Sequence, residues 1–241
     1  MGLVHGDFTA IWQGVPKDFP ARQALAYLCA LVGLASGLGL LWRRTAAAAA
    51  RVLFVYLLLW LLLFKLRFII AQPMVEGSYQ SCGENAVIVA GAWILYAWFA
   101  SGKDRRRFDF AAGDRGVRMA RALYGLAMIA FGLSHFAYLG LTAPLVPGWL
   151  PAHTFWAYFT GCTYLAAGAA VLVNVFARLA AALSAGQMGL FTLLVWVPIV
   201  AAGHASAEQM AEFVVSWTLT AGAWVVADSW RGALSLAANR R

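Results

Sequence analysis

The sequence predicts an all-α fold: a polytopic membrane bundle of seven transmembrane helices. Two observations carry this prediction. Of the 241 residues, 63% are hydrophobic and only 12% are charged, whereas a soluble domain is about half apolar and about a quarter charged. The apolar residues also fall into seven runs, each close to the roughly 20 residues that a helix needs to cross a bilayer. Lipid must therefore surround much of this chain.

The seven predicted spans are separated by short segments rich in Arg, Pro or Gly. They are Arg22–Trp42, Arg51–Ala71, Glu84–Ala100, Val117–Leu139, Thr154–Val175, Arg178–Val200 and Ala211–Trp230. A very tight turn joins the fifth and sixth spans, so we expect these two to be antiparallel neighbours. Residues 1–21 contain several charges and prolines and no apolar core, so we expect no signal peptide there.

The distribution of cations predicts the orientation of the spans. Lys and Arg are enriched in the cytoplasmic loops of membrane proteins, and fourteen of the eighteen cations follow the first, third, fifth and seventh spans. The other side holds Lys17, Arg22, Lys65 and Arg67. We therefore expect the N-terminus outside and the C-terminus in the cytoplasm. The net charge of +8 is then a topology signal, and we expect no nucleic-acid partner.

The chain contains an internal repeat with an offset of 131 residues. At this offset the following segments align: Pro20-Ala21 with Pro151-Ala152, Ala26-Tyr27 with Ala157-Tyr158, and Ala90-Gly91-Ala92-Trp93 with Ala221-Gly222-Ala223-Trp224. Because one offset serves both the first and the third spans, spans 1–3 and 5–7 are predicted to form a parallel repeat. We divide the chain into residues 1–116, a three-helix half with a basic cytoplasmic linker, and residues 117–241, a four-helix half.

Ionisable side chains within spans are costly in lipid and are functional candidates by default. The four catalytic candidates are Lys65, Arg67, Glu84 and His135. The two cations could instead extend to the membrane interface, and Glu84 could simply cap the start of the third span, where the helix dipole favours a carboxylate. His135 could carry a proton, contact a quinone or ligate a metal, or it could remain a neutral, hydrogen-bonded residue of the bundle.

Metal binding would require residues from separate segments. No HxxxH or HxxE spacing occurs within a predicted span, but His153, His204 and Cys82 all lie on the predicted outer side and are candidate ligands. The three cysteines form no CxxC pair, which excludes thioredoxin-like and zinc-ribbon motifs. The sequence shows no nucleophile–base triad, phosphate loop or dinucleotide fingerprint.

A series of short motifs runs through residues 118–230 in a characteristic order. They are Arg121, Tyr124-Gly125, Gly132-Leu133-Ser134-His135-Phe136, Pro147-x-Trp149-Leu150-Pro151, Trp156, Gly161, Ala167-Gly168, Arg178-x-Ala180-Ala181 and Ala223-Trp224-Val225-Val226-Ala227-Asp228. In these residues the chain resembles the DoxX family of four-helix bacterial membrane proteins, and residues 1–100 resemble a partial second copy. The family is named for a small subunit of a thiosulfate:quinone oxidoreductase. The resemblance implies functional roles for His135 and Trp149, which are our candidates for cofactor binding.

These observations lead to three functional hypotheses. In the first, the protein is an oxidoreductase subunit that engages quinone or a small periplasmic substrate at its outer face, with a periplasmic or membrane redox partner. His135 would contact the quinone or carry its proton, and Lys65 or Arg67 would stabilise negative charge. In the second, the protein handles a metal such as copper or carries a small solute. In the third, it is an assembly or scaffold protein without chemistry of its own.

Overall fold

A computed structural model describes residues 6–8 and 15–231 of the chain. Seven of its helices are long and apolar enough to cross a membrane: α1 Arg22–Gly39, α2 Arg43–Ala71, α3 Glu76–Phe99, α4 Asp114–Ala137, α5 His153–Leu172, α6 Ala177–Ala201 and α7 Ala207–Asp228. The described residues contain no strand. The predicted all-α membrane bundle is therefore confirmed. Two of the cations assigned to the cytoplasmic side, Arg240 and Arg241, lie outside the described residues.

Two helices begin well before their predicted spans. α2 starts at Arg43 instead of Arg51, because the run of alanines over residues 46–50 is strongly helix-forming. α3 starts at Glu76 instead of Glu84, so the prediction that Glu84 caps this helix is wrong. Glu84 lies two turns inside α3, and Glu76 is the acid in the first turn.

α3 is the central helix of the bundle. It packs against α2, α4 and α7, while α4 lies between α3 and α5. α6 packs on α5 and α7, and α1 packs on α2. The end of the bundle that carries Arg43, Arg44 and the short helix Gly102–Arg107 is called the basic end below. The opposite end, where α1, α3, α5 and α7 begin, is called the cation-poor end.

Several structural features recur at the offset of 131 residues. α2 and α6 each contain a π-helical turn, over Leu61–Lys65 and Thr192–Trp196. The residues before α1 and α5, Ala21 and Ala152, both adopt a left-handed conformation, with φ of 55° and 58°. The starts of α3 and α7 are also separated by this offset. These coincidences support the predicted repeat.

The two halves meet at equivalent glycines. A Cβ added at Gly91 of α3 would lie 2.7 Å from the Cα of Gly222 in α7, and these two residues are 131 positions apart. α3 and α7 run in the same direction through an alternating bundle. In the predicted repeat, this contact between equivalent residues of two parallel helices corresponds to a pseudo-two-fold axis that runs along the helices and through the crossing.

Candidate functional site

Lys65 is enclosed within the bundle, with 1% of its surface exposed. It is the last residue of the π-helical turn in α2, and its Nζ donates a hydrogen bond of 2.7 Å to Ser81 Oγ in α3. The interpretation that Lys65 extends to the membrane interface is therefore wrong. The π turn adds a residue to α2 and directs this side chain toward α3, in keeping with the frequent occurrence of such turns at functional sites.

Acidic and thiol groups lie within electrostatic range of the Lys65 ammonium. Glu84 and Cys82 of α3 and Glu212 of α7 interact with it electrostatically. The ion pairs within residues 6–8 and 15–231 are Arg22–Asp7, Arg51–Asp104 and Arg231–Asp228. In this described part of the chain, the Lys65 ammonium forms no direct ion pair with either carboxylate.

Ser81, which binds Lys65, belongs to a polar face of α3 that extends farther along the helix. Ser81, Glu84 and Asn85 are three and four residues apart and therefore share one side of the helix. Asn85 is fully buried, and neither its amide nitrogen nor its amide oxygen has a hydrogen-bond partner among the described residues. Leaving such a group unsatisfied costs on the order of 1–3 kcal/mol, so a bound polar molecule would find both a donor and an acceptor here. We call Lys65, Ser81, Glu84, Asn85 and Glu212 the lysine centre.

His135 belongs to a second centre, between α4 and α5 near the cation-poor end. Its Nδ1 lies 2.9 Å from the carbonyl oxygen of Phe131, one turn earlier. Because a carbonyl oxygen only accepts, Nδ1 must carry the hydrogen. In the neutral imidazole, Nε2 then holds the lone pair. The side chain is half-buried, so Nε2 is the ring atom that can accept a proton or a hydrogen bond from a ligand.

Glycines bring α4 and α5 together at His135. A Cβ added at Gly161 of α5 would lie 2.9 Å from the His135 Cβ and 3.1 Å from the Gly132 oxygen. Such close approach through small residues is the usual basis of helix packing in lipid. The backbone of His135 is therefore held firmly against α5.

One aromatic ring lies beside the imidazole, and an aromatic pair lies across the same helix seam. The His135 ring centroid is 5.8 Å from that of Tyr164 in α5, and the centroids of Phe136 and Tyr158 are 5.5 Å apart across the same seam. Tyr164 also packs against Phe131, at 5.9 Å between centroids. We call His135, Phe136, Tyr158 and Tyr164 the histidine centre.

The structure does not bring all the predicted catalytic residues together. Lys65 and Glu84 share the lysine centre, whereas the contacts of His135 are all made with α4 and α5. Arg67 is exposed, and its guanidinium lies 5.2 Å from the ring centroid of Phe68. Trp149 precedes α5 and has 71% of its surface exposed.

The predicted metal ligands lie apart. His153 is the first residue of α5, His204 follows α6 in an exposed turn, and Cys82 lies half-buried in α3 beside the lysine centre. Across the described residues, no three His, Cys, Asp or Glu side chains are arranged to hold a metal ion. All three of these residues lie near one end of the bundle. α5 and α6 pack together, whereas α3, which carries Cys82, packs against α2, α4 and α7.

Ser81, Asn85 and Glu212 are not among the site residues predicted from the sequence. With the last span predicted to begin at Ala211, Glu212 would lie at the solvated start of the helix. In the structure α7 begins at Ala207, so Glu212 lies more than one turn inside it. The repeat could have indicated Glu212 as a site residue. At the offset of 131, Glu212 aligns with Ser81, which accepts the hydrogen bond of Lys65. Both halves therefore contribute a polar residue at the same repeat position.

A separate groove of about 490 Å³ lies between α1 and α2. Its lining is almost entirely apolar and includes Leu25, Val55 and Leu63, together with the aromatic residues Trp60 and Phe64. Neither Lys65 nor His135 lines this groove. It is therefore a surface feature of the first half and belongs to neither polar centre.

No family model, no curated protein and no solved structure matches the chain. The resemblance of residues 118–230 to the DoxX family stays a prediction. The function must therefore be inferred from the chemistry of the two polar centres.

Proposed function

We propose that this protein is a redox-associated subunit of the bacterial inner membrane that binds a quinol-type substrate near its outer face. In this proposal, His135 Nε2 accepts a hydrogen bond, and then a proton, from the substrate hydroxyl. The observation that carries the proposal is the 2.9 Å contact between His135 Nδ1 and the Phe131 oxygen. It selects the tautomer with a lone pair on Nε2, and imidazole is the side chain best suited to exchange protons near neutral pH.

The surroundings of His135 suit a flat, lipophilic ring. Tyr164, Phe136 and Tyr158 supply aromatic faces at the α4–α5 seam, and aromatic rings favour offset stacking or edge-to-face contacts at such distances. The imidazole is half-buried, so a substrate dissolved in the bilayer can approach it from the lipid. A quinol combines both requirements, since it has an aromatic ring and a hydroxyl donor.

The lysine centre supplies a second ionisable group in the same bundle. Lys65, Glu84 and Glu212 interact electrostatically without a direct ion pair, and buried ionisable groups of this kind form proton relays in membrane proteins. Because Lys65 and His135 lie in different centres, we assign to Lys65 no contact with a substrate bound at His135. A periplasmic or membrane redox partner would accept the electrons.

The proposal is tested with the protein in lipid nanodiscs and a short-chain ubiquinol as probe. Binding is followed by quenching of tryptophan fluorescence. We expect His135→Ala to weaken binding at least tenfold, which corresponds to about 1.4 kcal/mol. His135→Gln should retain more affinity, because its amide oxygen can accept a hydrogen bond. His153→Ala removes a histidine outside the centre and serves as the matched control.

The pH dependence provides a second readout. Quinol affinity of the wild type should fall at acidic pH, because a protonated Nε2 can no longer accept a hydrogen bond, and His135→Gln should lose this dependence. If His135→Ala folds normally and binds the ubiquinol with unchanged affinity and pH profile, the assignment is wrong.

A further inference from the structure

Among the seven long helices, α4 is the one without an equivalent in the other half. It packs between α3 and α5. The pseudo-two-fold axis at the Gly91–Gly222 crossing carries α3 onto α7 and α5 onto α1. The position equivalent to that of α4 therefore lies between α7 and α1, and no long helix of the described chain packs there.

On α7, the surface that would contact a helix at this position is exposed. Gly83, Ala86 and Ala90 of α3 are buried and lie on the side that meets α4, where a Cβ added at Gly83 would lie 3.3 Å from the Ala130 Cβ. Their equivalents in α7, at the offset of 131, are Val214, Trp217 and Ala221, and all three are exposed. Trp217 alone leaves 42% of its surface uncovered.

The α1 side repeats the surface that α5 uses to hold α4. A Cβ added at Gly168 of α5 would lie 2.7 Å from the Gly125 oxygen of α4. The equivalent residue in α1 is Gly37, and a Cβ added there would meet no atom within 4 Å. Leu165 packs against Gly132 of α4, whereas its equivalent Leu34 is 51% exposed.

We propose that the face formed by Leu34, Gly37, Val214, Trp217 and Ala221, the α1–α7 face, binds a transmembrane helix of a partner protein. By equivalence with α4, this helix runs antiparallel to α1. It carries small residues about seven positions apart, as Gly125 and Gly132 are, because a large side chain opposite Gly37 would hold the two backbones apart. The exposed Trp217 supplies the large contact surface typical of interface anchors.

The described residues 6–8 and 15–231 supply no helix for this face, and a second copy of the chain does not supply one either. Residues 1–21 hold no apolar run of spanning length, and the described residues 6–8 reach only the cation-poor end of the face, where Gly6 lies beside Tyr27. A second copy related by an axis along the membrane normal would present α1 and α7 in the parallel direction. An antiparallel helix from another face of that copy would make a contact that does not close into a dimer.

The inference is tested by native mass spectrometry of the full chain, extracted from its host membranes directly into polymer-bounded lipid discs. We expect a complex that contains one 26.0 kDa chain and a second membrane protein. Gly37→Leu on α1 and Trp217→Ala on α7 should each reduce the bound fraction at least tenfold. Both changes lie on open surface, so the fold should be retained.

Gly186→Leu is the matched control. Gly186 lies on α6, a Cβ added there would also meet no atom within 4 Å, and the substitution should leave the complex intact. Three outcomes would overturn the inference: a single chain without a partner, a mass equal to two copies of this chain, or a complex that survives both Gly37→Leu and Trp217→Ala.

Discussion

Gly91 of α3 and Gly222 of α7 touch at equivalent positions of the two halves. A Cβ added at Gly91 would lie 2.7 Å from the Gly222 Cα and 3.0 Å from its carbonyl oxygen. In lipid, helices associate through close packing and hydrogen bonds, because apolar side chains gain little by leaving the hydrocarbon. This crossing therefore helps to fix the arrangement of the two halves, together with the packing of α3 against α4.

Gly91→Ala should destabilise the bundle by about 1–3 kcal/mol, because the added methyl group would force two backbones apart in a packed interior. The measurement is thermal unfolding in nanodiscs. Gly186→Ala is the control, since it adds the same methyl group in open space and replaces a helical glycine, which is neutral or stabilising by up to about 1 kcal/mol. Equal stability of the two variants would contradict the role of the crossing.

Ser81→Ala should destabilise the protein by about 1.5–3 kcal/mol, the usual range for a hydrogen bond to a charged group. The reason is that the Lys65 ammonium, 1% exposed, loses the hydroxyl that accepts its hydrogen bond. Adding Lys65→Met should restore much of the stability, since an apolar side chain needs no acceptor. Denaturation of the two single variants and the double variant measures the coupling, and purely additive effects would argue against it. Arg67→Met, at an exposed position in the same helix, should change little.

The stability of the basic end should depend on pH through Asp104. The Ser101 hydroxyl, at 2.7 Å, and the Arg51 guanidinium, at 2.6 Å, hold the pKa of the Asp104 carboxyl below its usual value. A carboxylate with a lowered pKa in the folded state stabilises the fold above its unfolded pKa, about 4, and loses this contribution as the pH falls through the lowered value. Asp104→Asn should therefore unfold at a lower temperature than wild type at pH 7, and the difference should shrink at acidic pH. Asp18→Asn, at an exposed position, is the control.

The orientation can be determined with single cysteines in a chain from which Cys29, Cys82 and Cys162 have been removed. We expect a membrane-impermeant maleimide to label Gly203→Cys in intact spheroplasts and to leave Gly102→Cys unlabelled until the membrane is opened. The physical reason is the retention of Lys and Arg in the cytoplasm, since the basic end holds Lys103 to Arg107. The reverse pattern would place the N-terminus in the cytoplasm and the histidine centre near the inner face.

The apolar runs predict the number of helices but not where each helix begins. The apolar runs predict all seven spans, yet α2 and α3 start at Arg43 and Glu76, eight residues before their predicted starts. Hydropathy marks the part of a helix that lies in lipid, whereas hydrogen bonding continues the helix into polar residues at the interface. For this reason Glu84 is predicted at the start of the helix but lies two turns inside it in the structure.

The number of helices, the all-α class and the repeat offset follow from composition and pattern, because the bilayer sets the length of an apolar helix and duplicated segments keep their order. The surroundings of Lys65 and His135 depend on which helices become neighbours. In lipid, the residues that face the bilayer and those that face the bundle are both apolar, so their pattern carries little information about neighbours. Only the packing of α2, α3 and α7 places Ser81 and Glu212 beside Lys65, and only the missing equivalent of α4 leaves the α1–α7 face open.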